Sequence, residues 1–557
     1  MPLGQGKEAA ELPVSAAIDH GHCPYPTANL SPSPEQHIKT THLGSRSQDQ
    51  QFESPSTETK RGKGDHMPKI GYVSDQEVEA LHRASLEILT KTGIRALSEK
   101  FLEKAAELGL KVVRPAGEKF GSIYFTEEQI NQALASAPEK FTIYGLDEDN
   151  QINWGERRAY NNTCVGMPFI EDLDTGEIRN VTLKDAEDYV RLADALPNTH
   201  VLSSLTIQGV PEHAANAIQV GAMLRNTTKP LRICVESAHE VENVVSVLAA
   251  AAGGLDKLQE KPLAYLEVSP ISPLDFAENP VEALMAIVQA GLPLGIIPCP
   301  MMGATGPMTL IGSVAMHNAE MLAGVVIAQL LKPGHPTIMS PRVTFMDLST
   351  ALGLWAAPEM GIAAAVSSQL INKYGIPNAP GGFSCAAKVS DAQAGFEVML
   401  NSLLPALVGV DVIGSSGSLD NALLTSFAKL VIDDEVCSLT RHAVKGCVVN
   451  EETLAVEVID EVVNGEGNFL CHPHTIAHMR SELWAPDISH RQSYEAWQTD
   501  KLTLSQVANA KAKSILANHQ VEPLSAERLA AVNAAVEQAI NASPAAAKAK
   551  AGGGRAC

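Results

Sequence analysis

Between Ile376 and Gly395 an apolar run breaks at Gly381 and Gly382, presents Phe383, Ser384 and Cys385, and passes into a helical pattern. A strand that ends in paired glycines before a helix brings the next side chains to the rim of a site, so Ser384 asks for a chemical role. It has no GxSxG setting and no neighbouring His–Asp pair, which gives no support to an activated nucleophile. Glu267 closes the apolar run LAYLEVSP, where an ionised carboxylate is costly without a cation beside it. That cation is either a bound ammonium group or Arg342, which directly follows the run PTIMSP. Arg342 could equally clamp a ligand carboxylate with its bidentate fork. His317 and Glu320, three apart in MHNAE, share one helix face, and Glu359 opens the next helix, where stabilising a helix N-terminus is a sufficient role.

Two further groupings lead nowhere chemical. His474 and His478 are one helical turn apart with Cys471 nearby, a spacing that can hold zinc, but they fall far from the other candidates in the chain and are read as no metal site. The run of Gly303, Gly306 and Gly312 lacks GxxxxGK[ST] and is not a phosphate loop.

The elements that must position these residues alternate. Strand-like runs at 158–166, 200–206, 230–235, 262–268, 293–299, 336–341, 376–382 and 410–415 are each followed by a helical pattern. Eight such pairs over 156–446 predict an α/β fold of the (β/α)8 TIM-type barrel class. In such a barrel the loops after the strands converge on one mouth, which collects Glu267, Arg342, Phe345, Trp355, Phe383 and Ser384. Ahead of it, 67–155 reads as an N-terminal α-rich cap that opens with a capping box, Ser74 with Glu77, and stops its first helix at Gly93. Residues 447–540 read as a C-terminal helical extension, and 1–66 and 541–557 as disordered tails.

Composition narrows the function. A net charge of −22 offers no basic footprint for nucleic acid. No uninterrupted apolar run approaches a membrane span and no leader pattern opens the chain, so no membrane role is expected and the protein is placed in the cytoplasm. The nine cysteines are scattered without a CxxC and read as reduced core thiols.

Taken together, PCPMMGATGPMTLIGSVAMHNAEMLAGVVIAQLLKPGHP, APEMG, GGFSCAAKVSDAQAG and SFAKLVIDDE resemble the trimethylamine methyltransferase family of corrinoid-dependent enzymes, over about Ser74 to 523. The resemblance implies a barrel that moves a methyl group from a methylamine to the cobalt(I) of a separate corrinoid protein. It implies no cofactor bound by this chain, a cognate corrinoid protein as partner, and a homo-oligomer. In the founding enzymes a pyrrolysine stands in the loop that here reads GGFSCAAKVS, and counting through it places Ser384 at that position, give or take one residue. Without that electrophile the chain resembles the non-pyrrolysine branch, the glycine betaine methyltransferases, and the expected substrate is a small quaternary amine. The rings of Tyr160, Phe345, Trp355 and Phe383 are then candidates to face the cation, with Glu267, and His317 belongs to the family pattern. These, with Arg342 and Ser384, form the expected substrate-binding set; no catalytic residue is named and no metal is assigned. The alternative is a non-catalytic betaine-binding barrel serving as sensor or scaffold for a corrinoid partner.

Overall fold

The computed structural model describes residues 70–542 except 119, 148 and 466, and all of these lie in one compact unit. The tail expected over 1–66 is outside the described residues, as is all but the start of the one expected over 541–557.

The first helix forms where the capping box places it. Ser74 N–H donates to Glu77 Oε2 at 2.8 Å while Glu77 N–H donates to Ser74 Oγ, which satisfies two of the free amides that open the helix Asp75–Glu87. The chain then widens into one π-helical turn, Ile88–Thr92, and leaves the helix at Gly93, at φ +71°.

Strands and helices alternate as expected, although several of the strands are short. Parallel pairing runs from Tyr160–Thr163 to Val201 and Leu202, then to Leu231–Cys234, Ala264–Val268, Leu294–Ile296 and Thr337–Met339. Met339 bridges to Asn378, Gly381 bridges to Gly414, and Val412–Ser416 pairs back onto Tyr160–Thr163. A helix follows each of the eight segments, from Leu183–Ala195 to Phe427–Val444, with a short additional helix, Leu255–Glu260, after the third. Helices cover the outer side of these strands, so most of their residues are buried on both faces, the polar ones included.

The leading section departs from a simple α-rich cap. It holds three helices, and its hairpin Phe141–Tyr144/Gln151–Trp154 lies against the amino ends of the central strands. There Tyr144 N–H donates to Pro262 O and Leu146 N–H to Thr228 O. Ile143, Ile152 and Trp154 form one apolar cluster with Val201, Tyr265, Ile338, Ala379 and Val412. That end of the strand assembly is therefore filled by side chains, which leaves the carboxyl ends for chemistry. In the C-terminal extension, Leu504–Asn518 packs on Phe427–Val444, and Ala526–Asn541 on Ala238–Ala252. The helix Leu310–Leu331 is long and apolar enough to cross a membrane, and every residue from Ser313 to Gln329 is buried within the protein.

Candidate active site

Glu267 is the second-last residue of its strand and only 1% exposed. Its partner is Arg232, on the neighbouring strand, and not Arg342: Arg232 Nε donates to Oε2 at 2.5 Å. Ser340 Oγ donates to Oε1 at 2.6 Å. Gly295, opposite Glu267 on the next strand, makes the room, since a Cβ there would come within 2.4 Å of Glu267 Cγ. Burial works against the charge on Arg232, but the adjoining Glu267 carboxylate outweighs it and leaves the guanidinium above its ordinary value. With Arg232 on one oxygen and Ser340 on the other, Glu267 has no free oxygen facing a ligand ammonium.

Arg342 lies in the same layer and is differently served. Its Nη1 donates to the carbonyls of Ala379 (2.7 Å) and Pro341 (2.9 Å), and its backbone N–H donates to His317 Nε2 at 2.8 Å. Its Nη2 is buried with no hydrogen-bond partner. The glycines that break the strand pattern explain the fit: a Cβ at Gly381 would meet Nε at 3.0 Å, and one at Gly414 would meet Nη2 at 2.7 Å. Burial, reinforced by the Arg232 charge, brings Arg342 down to about 10, so it stays protonated at neutral pH. Burial brings His317 down to about 3. It is a neutral acceptor that fixes the Arg342 backbone.

Glu320 is fully buried and faces no cation. Its Oε1 accepts from Leu274 N–H at 2.8 Å and its Oε2 from Ser272 Oγ at 2.9 Å, which ties the loop after the fourth strand to the 310–331 helix. Burial raises it from 4.5 to about 7. Between those values the native state holds a proton that the unfolded chain has released, so this group's contribution to stability is full below pH 4.5, falls as pH rises to 7, and is level above. Glu320→Gln should remove a fall of roughly 2–3 kcal/mol between pH 5 and pH 8. Urea unfolding of both proteins at the two pH values checks it, and parallel pH dependence of the two would refute the assignment.

Ser384 is 2% exposed and its hydroxyl makes no hydrogen bond among the described residues. The backbone beside it is pinned: Phe383 N–H donates to Gly414 O, and Asn421 N–H donates to Cys385 O while its Oδ1 accepts from Trp355 N–H at 3.2 Å. Loops six, seven and eight thus meet around Asn421.

The four rings do not gather into a cage. Tyr160 begins its strand at the amino end, as its third place in the run 158–166 implies, with its ring centroid 4.8 Å from that of His200. Phe383 is fully buried among Ala159, Ala356, Val398 and Ile413, on the helix side of the strand. Phe345 pairs with Met302 and packs toward Val78, Leu81 and Val314. Only Trp355, half-buried at the junction of loops six and eight, keeps a position among the site loops.

Burial pushes the Cys234 and Cys299 thiols up to about 12, yet both retain solvent-accessible surface. Ser415, half-buried on the eighth strand, sits at φ +84°, a strained value for serine that is held by its N–H donating to Asn162 Oδ1. Two clefts, of about 410 Å³ beside Ser505 and Lys513 and about 640 Å³ beside Lys104 and Glu282, open on the outer helices, away from this layer.

His474 and His478 have ring centroids 4.3 Å apart, but among the described residues no three His, Cys, Asp or Glu side chains gather as a metal set. His478 lies 3.4 Å from Glu452, and His472 caps its helix. Glu359 is exposed in the first turn of Pro358–Tyr374, where it serves the helix end. Sequence reasoning missed Arg232, and the signal was present: an arginine inside the apolar run PLRICV needs a buried partner as much as Glu267 does.

A model of the trimethylamine methyltransferase family matches residues 41–543, further toward the amino terminus than the motifs suggested and into the stretch expected as a tail. The chain is 32% identical to the glycine betaine methyltransferase of Desulfitobacterium hafniense (strain Y51), covering 85% of this chain and 98% of that one. It is 32% identical to a trimethylamine methyltransferase of Desulfitobacterium hafniense (strain DSM 10664 / DCB-2), covering 84% and 93%, and 29% identical to that of Methanosarcina barkeri (strain Fusaro / DSM 804), covering 85% and 96%. Among solved structures, the Methanosarcina barkeri monomethylamine methyltransferase shares the fold, with a TM-score of 0.51 at 11% identity over 86% of this chain and 90% of that one.

Proposed function

Because the chain belongs to the trimethylamine methyltransferase family and is a methyltransferase, we propose that it takes a methyl group from a small quaternary amine of the glycine betaine kind. The acceptor in this reading is a reduced corrinoid carried by a separate protein, docked at the carboxyl ends of the strands. We read the eight parallel segments and their helices as a (β/α)8 barrel, supported by a pairing order that returns from Val412–Ser416 to Tyr160–Thr163.

The observation that carries the substrate reading is the chemistry of the side chains at the carboxyl ends of the strands. The thiols are held protonated, His317 is neutral with Nε2 engaged, and Ser384 has no base. Nothing among these side chains activates a leaving group, so the substrate must bring one. A quaternary ammonium does: the C–N bond breaks, the electron pair stays with nitrogen, and a neutral amine departs. When its carrier is docked, the corrinoid supplies the nucleophile that receives the methyl group. The chain's own part is to hold the cation in line, exclude water and keep the departing amine in place. The rim fits a docked protein: Met308, Ile311, Leu348, Leu352, Val389 and Phe396 are exposed apolar side chains on the loops and helix starts after strands five, six and seven.

The test is an assay with reduced corrinoid and a panel of glycine betaine, proline betaine, carnitine, butyrobetaine and trimethylamine, reading the demethylated amine by mass. Turnover is expected with a quaternary amine and not with trimethylamine. Binding without demethylation of any of them would restore the alternative of a non-catalytic betaine-binding barrel. In the same assay Ser384→Ala should keep most of the activity, losing at most the ~0.5–1.5 kcal/mol of one hydrogen bond. A thousandfold fall in kcat, about 4 kcal/mol, would show that the serine does chemistry.

A further inference from the structure

Three charged side chains are buried inside the ring of strands: Arg232 at 2%, Glu267 at 1% and Arg342 at 4% exposure. Glu267 is fully committed to Arg232 and Ser340. Two guanidinium groups against one carboxylate leave a positive charge unmatched. Donors are unmatched as well, since Arg342 Nη2 and Arg232 Nη1 are both buried without a partner. The remaining carboxyl that bears on Cys299 is Glu320, whose oxygens are taken by Ser272 and Leu274. Uncompensated charge of this kind is expensive in a protein interior and marks a group waiting for a counter-ion. Arg342 is also the largest charge acting on the Cys299 thiol, and Cys299 keeps some accessible surface, so the unmatched guanidinium lies beside a residue that solvent reaches.

Resting on the methyl-transfer reading above, we infer that the substrate is a zwitterion that enters carboxylate first, with its carboxylate on Arg342 and its quaternary ammonium facing the loops. Arg232 is the specificity-determining residue behind this polarity: by holding Glu267 it removes the carboxylate that would otherwise draw the ammonium inward. The Gly381 and Gly414 backbones pack against Arg342, so in this reading a ligand reaches it from the side of Cys299, which keeps accessible surface, with its methyl groups trailing outward. A cation without an acid group finds a like charge at the floor of the site.

The experiment is calorimetric binding of four probes to the full chain: glycine betaine, 3,3-dimethylbutyrate, choline and tetramethylammonium. Dimethylbutyrate keeps the shape and the carboxylate but has carbon in place of nitrogen and no transferable methyl. Betaine and dimethylbutyrate should bind within about tenfold of each other, and choline and tetramethylammonium at least a hundredfold more weakly. Arg342→Gln should lose binding of both carboxylates, and Arg342→Lys should recover part of it with the charge restored. Failure of either variant to fold leaves the comparison of probes on the unaltered protein decisive. Choline binding as tightly as betaine, or no binding of dimethylbutyrate, overturns the inference. The two readings fail separately: demethylation of choline at the rate of betaine sinks the polarity alone, while dimethylbutyrate binding without demethylation of betaine sinks methyl transfer alone.

Discussion

Glu267→Gln should lower the stability of the protein by about 3–5 kcal/mol, the usual loss when one partner of a buried ion pair is removed and the other charge stays behind. Glutamine keeps the volume and one acceptor, so Ser340 can still donate, but Arg232 is left ionised at 2% exposure with no carboxylate. Arginine has no escape by deprotonation near neutral pH. Removing both charges should be far milder, and Arg232→Met with Glu267→Leu is expected to lose less than Glu267→Gln alone because apolar groups of similar volume fill the layer. Urea unfolding of the three proteins measures this directly. If Glu267→Gln kept its unfolding midpoint and only raised the substrate KM, the carboxylate would face the ligand ammonium after all, and the pair with Arg232 would be dispensable.

How far the sequence leads depends on the kind of information each residue carries. Alternation of apolar runs and helical patterns is a local property, and it places all eight strand–helix pairs and the capping box at Ser74. Burial of Glu267 with a cation is legible too, since the cost of a lone carboxylate in an apolar strand is independent of the fold. Which cation is not legible. Arg342 sits nearer the expected mouth, whereas Arg232 reaches Glu267 only because the strands Leu231–Cys234 and Ala264–Val268 are neighbours with Cys234 opposite Glu267. The rings fail for a related reason: Tyr160 stands at the amino end of its strand, as its third place in the run 158–166 already implies, and the chain bends after the Gly381 bridge so that Phe383 packs into the helix layer. Gly381, by contrast, marks the site for a reason visible only in three dimensions, the seat of the Arg342 guanidinium.

The motif SFAKLVIDDE holds the second large effect. Lys429 and Asp433, one helical turn apart and each 1% exposed, form a closed pair with Nζ at 2.6 and 2.5 Å from the two carboxylate oxygens. Asp433 also accepts from Gly417 N–H at 2.7 Å, just after the strained Ser415. Its two neighbours reach elsewhere: Asp434 accepts from Asn198 N–H and Thr199 Oγ, and Glu435 from the backbone of Asp487 and Ser489. Three consecutive acids therefore fix the loop after the eighth strand, the approach to the second and the C-terminal extension. Lys429→Met should cost about 3–5 kcal/mol at pH 8, where Asp433 is left charged and unpaired. Burial already pushes Asp433 above its ordinary value, with Lys429 opposing. Without the lysine it rises further, so the mutant's native state takes up a proton that its unfolded state does not, and the loss should shrink as pH falls toward 5. Unfolding midpoints at pH 5 and 8 for the mutant and the unaltered protein test both statements. An equal loss at the two pH values would mean that Asp433 stays ionised without Lys429, held by the Gly417 amide and its surroundings rather than by the ion pair.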